Sequence, residues 1–186
     1  MTKTHSKYHS TLFSEGSMFQ DVLTILLASA LLGVISQIAI HLWWTVPVTL
    51  QSATVVFLGL TLGSKRAAAA VAAYLIEGAL GAPVFAGGYT GFVYLMGPTG
   101  GYLWGFLPAA FITGFLMEQG MAENFITAFV AAILGSSVIF LFGVFHLQLM
   151  IGWKKAYEIG VEPFLLIESI KLLVASLAAT YFWKQN

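Results

Sequence analysis

Apolar residues in this chain come in runs long enough to cross a bilayer, and the runs follow one another over almost its whole length. A helix rises ~1.5 Å per residue, so about 20 apolar residues reach across a ~30 Å hydrocarbon core. Residues 22–42 are the first such run, followed by 47–62, 67–80, 99–117, 125–147 and 163–183. Pro47 and Pro163 suit the first turn of a helix, while Pro108 is expected to interrupt and kink the fourth run. Apolar residues make up 59% of the chain and charged ones 9%, so the polar remainder that a single anchor would leave is missing. The fold class expected is all-α: a polytopic membrane protein of six transmembrane helices. Residues 1–17 read as a polar tail, native or added, and 18–186 as a single six-helix transmembrane domain. The second and third runs are short for a crossing, and short segments in transporters often flank the binding site.

Six crossings put both termini on one side. If that side is cytoplasmic, Lys3, Lys7, Lys65, Arg66 and Lys184 lie inside and Lys154 and Lys155 outside, the bias expected of short connections in a plasma-membrane protein. The paired Trp43 and Trp44 then mark the outer membrane–water boundary. Net charge is zero and there is no basic stripe, so nucleic acid is not an expected partner. The chain lacks a phosphate-binding G-x-x-x-x-G-K-[ST] loop, an H-E-x-x-H zinc helix and a G-x-S-x-G elbow. It has no cysteine, a single aspartate (Asp21), and His41 and His146 on separate elements. No catalytic residue, metal site or cofactor is therefore expected.

One stretch breaks the pattern. Residues 81–105 are dense in glycine and aromatic residues, contain Pro83 and Pro98, and carry no charge. Glycine permits close backbone approach, and aromatic rings supply flat apolar walls with polar tips, which suits the lining or lid of a small-molecule pocket. Phe85, Ala86, Gly87, Gly88, Tyr89, Tyr94, Gly97, Thr99, Gly100 and Tyr102 are the candidates there, with Trp43 and Gln51 beside the same outward surface. In the last run, Glu168 and Lys171 are three residues apart and share a helix face. Ionisable residues inside a span pair with each other or face a cavity, so this couple either neutralises itself to hold the bundle or reaches a ligand. Glu77 reads as a snorkelling or loop-capping carboxylate. Ala28, Ser29 and Gly33 put small residues on one face of the first helix, for internal packing or for docking a partner.

Taken together, Val46-Pro-Val-Thr-Leu-Gln51, Gly63-Ser-Lys-Arg66, Gly81-Ala-Pro-Val-Phe-Ala-Gly-Gly88, Gly97-Pro-Thr-Gly-Gly-Tyr102 and Glu168-x-x-Lys171 resemble the BioY family. That family comprises the biotin-specific substrate-capture (S) components of energy-coupling factor (ECF) transporters. The resemblance implies capture of biotin at the outer face as transported substrate. Uptake is then powered by a separate transmembrane coupling protein and two cytoplasmic ATPases. Glu168 and Lys171 would share the ureido N–H and carbonyl groups, and backbone amides of the glycine-rich loop, or free ones at the start of the fourth helix at Thr99 and Gly100, would take the valerate carboxylate. Two features depart from the family: Glu168 stands where Asp is more common, and Ser29-x-x-x-Gly33 replaces an Ala-x-x-x-Ala docking pattern. A stand-alone carrier and an intramembrane enzyme using Glu168 are the rival readings.

Overall fold

The computed structural model describes residues 17–40 and 46–185. Helix α1 (Met18–Ser36) leads into two short strands, β1 (Ala39–Ile40) and β2 (Val48–Thr49), paired antiparallel with Ala39 opposite Thr49. Helices α2 (Gln51–Leu62) and α3 (Ser64–Ala79) follow. A 3-10 turn (Ala86–Gly88) and the short α4 (Phe92–Met96) precede α5 (Gly100–Leu116) and a π turn (Met117–Met121). The chain ends with α6 (Phe125–Ile151), α7 (Trp153–Gly160), a second 3-10 turn (Glu162–Phe164) and α8 (Leu165–Gln185).

The fold is all-α and membrane-spanning, as the apolar runs require. Among the described residues, four segments are long and apolar enough to cross a membrane: α1, α5 with its π turn, α6, and the stretch from α7 through α8. Helices α2 and α3 have 12 and 16 residues. At ~1.5 Å per residue they rise only ~18 and ~24 Å, short of a straight crossing.

Several expected boundaries move, each for a local reason. The first helix stops at Ser36 instead of reaching residue 42, because the Ser36 and Gln37 side chains turn to bond the loop at 83–85 and the chain then extends into β1. The second helix starts at Gln51 rather than at Pro47, since Val48 and Thr49 are held in the β pair. Helix α5 runs unbroken through Pro108, so the expected interruption is absent. The connection at 152–162 is largely the helix α7.

On α8 small residues face inward and most large apolar ones face out. Ala175, Ser176, Ala179 and Thr180 of α8 are buried, whereas Leu173, Val174, Leu177 and Tyr181 are exposed. With lipid on the outside, burying leucine gains little and close backbone approach gains packing. At one end of the bundle, Gly63 at φ 82° reverses the chain between α2 and α3, and Glu118 caps α3 by accepting from the Ser64 amide at 2.7 Å and hydroxyl at 2.8 Å. Asp21 and Arg66 pair at 2.5 Å, and the Trp183 indole donates to the Leu60 carbonyl at 2.8 Å, at this same end. The opposite end gathers the start of α2, the glycine-rich loop, the start of α5 and the start of α8.

Candidate functional site

Glu168 occupies the first turn of α8 and is 5% exposed. Its Oε2 lies 2.5 Å from Lys171 Nζ and accepts from Ser52 Oγ at 3.0 Å, while Oε1 accepts from Ser136 Oγ at 2.8 Å. Lys171 Nζ also donates to the Thr49 carbonyl and to Ser52 Oγ, both at 2.8 Å. The pair therefore joins α2, α6 and α8 at one point. A carboxylate offers about four acceptor positions and an ammonium three donors, so here Glu168 retains one free position, on Oε1, and Lys171 retains none.

Both charges line a cavity of about 60 Å³. Of the residues expected at a ligand site, Gln51, Ala86, Tyr94, Thr99 and Tyr102 line it as well. Gln51 is buried and donates to the Tyr74 hydroxyl at 2.6 Å, which ties α2 to α3. The Tyr102 hydroxyl donates to the Gly160 carbonyl at 2.8 Å, so only the ring is offered to the cavity. A Cβ on Gly143 would sit 2.3 Å from that ring, and glycine there is what lets Tyr102 lie flat on α6. Tyr94 stacks on Phe85 and on Tyr89, with centroids 5.2 and 5.1 Å apart. Burial raises its hydroxyl above the usual 10.0, so it stays a neutral phenol.

The remaining candidates sit elsewhere. Phe85 is fully buried behind the lining, edge-on to Tyr74. Tyr89 is exposed, and Gly87 and Gly88 supply the positive φ angles that turn the loop outside the cavity. The Gly97 carbonyl lies 3.1 Å from His146 Nε2. Gly100 corrects the expectation of a free amide: its N–H donates to the Gly97 carbonyl at 2.9 Å, and its missing Cβ makes room for the Leu95 backbone. Trp43 lies outside the described residues.

Of the two readings of the first-helix face, the structure has the internal one, not docking of a partner. Ala28, Ser29 and Gly33 are buried within the chain. Ser29 Oγ donates to Glu77 Oε2 at 2.8 Å, and Gly33 abuts Val84. Glu77 is accordingly a tie between α1 and α3, neither a snorkel nor a loop cap. Sequence reasoning missed Ser52 and Ser136, the hydroxyls that hold Glu168. Ser136 left a trace as part of the small Gly135-Ser136-Ser137 step inside an otherwise bulky run. Apolar Leu103, Phe106, Ile139, Phe140 and Phe164 also line the cavity, without any signal that separates them from other core residues.

Several long apolar helices, with a buried ion pair in a cavity wall beside an aromatic loop, define a multi-pass membrane protein. The sequence profile of the BioY family matches residues 3–186, and the chain belongs to that family. It is 42% identical over 135 residues to a biotin transporter BioY from Thermotoga maritima, covering 72% of this chain and 79% of that protein. A probable biotin transporter BioY from Pyrococcus horikoshii is 36% identical over 160 residues, covering 86% of this chain and 94% of its own. A solved crystal structure described as the S-component for biotin from an ECF-type ABC transporter superposes with a TM-score of 0.81 at 24% identity. That match covers 92% of this chain and 96% of the other, and it establishes the fold.

Proposed function

We propose that the chain is a biotin-capture component of an ECF-type importer, and that biotin binds with its ureido ring at Glu168 and Lys171. The observation that carries this reading is the placement of a buried, opposite-charge pair in the wall of a cavity otherwise built from aromatic, apolar and hydroxyl groups. A neutral urea offers two N–H donors and one carbonyl. One N–H fits the free position on Glu168 Oε1, and the carbonyl takes a Lys171 proton in exchange for Thr49 or Ser52. Tyr94, Thr99 and Gln51 are left for the valerate carboxylate.

Ligand pockets for small molecules usually run to ~300–1,000 Å³. Binding a bicyclic ligand in a cavity of about 60 Å³ therefore requires the Tyr94 roof to yield. The relatives carry transporter names, which sets aside the intramembrane enzyme. The fold likeness to an ECF S-component supports uptake powered by a separate coupling protein and ATPases. We further propose that residues 18–186 form one domain with six crossings, both termini being cytoplasmic and the site end facing outward. The test is a calorimetric titration with biotin, desthiobiotin and lipoate. Desthiobiotin keeps the urea and should bind, whereas lipoate keeps the valerate without the urea and should not. Equal binding of all three would overturn the assignment of the pair to the ureido ring.

A further inference from the structure

Helix α4 is five residues long, and Tyr94, whose ring roofs the cavity, is one of them. A helix that short cannot satisfy its own last carbonyls, and Pro98 just beyond it has no N–H to offer. Side chains from two other helices do so instead. Trp104 Nε1, on α5, donates to the Leu95 carbonyl at 3.2 Å. His146 Nε2, on α6, lies 3.1 Å from the Gly97 carbonyl and 3.4 Å from that of Met96. Both of its partners are acceptors, so Nε2 is the ring nitrogen that carries the proton. Three consecutive carbonyls, at 95–97, are thus held by one indole and one imidazole.

Glycine makes this grip possible. A Cβ on Gly101 would collide with His146 Cβ, and one on Gly100 with the Leu95 carbonyl, so the start of α5 lies against both the histidine and the end of α4. The other end of α4 is joined more loosely. Gly91 has φ 90°, nothing lies within 4 Å of where its Cβ would be, and its N–H donates to the Gly78 carbonyl at 2.7 Å. Trp104 and His146 stand in the wall of a groove on the outside of the bundle, between α6 and α8, and neither lines the cavity. Their hydrogen bonds reach the backbone that follows Tyr94, and that backbone continues through Pro98 to Thr99 in the cavity wall.

We propose that Trp104 and His146 are positioning residues for substrate capture: by anchoring the end of α4 they hold Tyr94 over the cavity and set how readily that roof opens. This rests on the reading that biotin occupies the cavity. Because neither side chain lines the cavity, loosening the roof should speed entry and exit together and leave affinity nearly unchanged. His146→Phe keeps a ring and removes the donor, His146→Gln returns an N–H close to the position of Nε2, and Trp104→Phe removes the indole donor. Association and release of labelled biotin should each quicken at least threefold in His146→Phe and in Trp104→Phe, with Kd changing less than twofold. His146→Gln should keep the original rates. Amide exchange should rise at 92–97 in the two Phe variants and stay unchanged across α8. Unaltered rates, a weakened Kd with unaltered association, failure of His146→Gln to restore the rates, or exchange rising alike in every helix would each overturn the proposal. If the unsubstituted protein binds no biotin, the function proposed above fails, while the exchange arm still tests the grip of the two side chains on α4.

Discussion

Glu168 and Lys171 show how a membrane interior keeps two full charges. Removing one partner of such a buried pair leaves an uncompensated ion, at a cost of ~3–5 kcal/mol. Ser52 matters nearly as much, since it donates to the carboxylate and accepts from the ammonium. Ser52→Ala should lower stability by ~1–3 kcal/mol, the scale for leaving a buried polar group one partner short. Reversible unfolding in detergent would measure this, and an unchanged midpoint would show that the hydroxyl contributes nothing. The charges themselves are conspicuous in the sequence because an apolar run makes them so. Ser52 and Ser136 are not, because a serine in a span commonly bonds its own helix backbone, as Ser169 and Ser176 do here.

Helices could be found from hydrophobicity alone, but their faces could not. With apolar residues on every side, periodicity stops marking the core, and residue size takes over. That is why the small face of α1 was open to two interpretations and proves to be internal. Ser29→Trp should therefore disrupt the fold and biotin binding together. Leu27→Trp, on the exposed side of the same helix, should keep both. Size-exclusion profiles and biotin titrations would decide, and a well-folded, binding-competent Ser29→Trp protein would contradict the packing. Gly143→Ala should likewise cost ~1–3 kcal/mol by forcing a methyl into the Tyr102 ring. Helix ends were less legible than helix interiors. The stop at Ser36 depends on carbonyls of a loop 48 positions away, a pairing that no local pattern announces.

For the whole molecule, the motifs at 46–51, 63–66, 81–88, 97–102 and 168–171 carried the family, and the family match bears that out. Sidedness rests on few charges. Lys65, Arg66 and Lys184 lie at the end opposite the cavity, and Lys154 and Lys155 on α7 at the cavity end. Cysteines placed at 154 and 184 should react with a membrane-impermeant reagent from outside and inside the cell, respectively; the reverse pattern would invert the proposed orientation.

The central claim is that the Glu168–Lys171 pair receives the ureido ring. The most direct measurement is the calorimetric affinity of Glu168→Gln for biotin beside that of the unsubstituted protein, on samples shown to be folded by their melting transitions. Loss of a charge-assisted hydrogen bond is worth at least ~1.5 kcal/mol, so affinity should fall by roughly tenfold or more. An unchanged affinity in a folded variant would make the pair a brace for the bundle and place the recognition of biotin elsewhere.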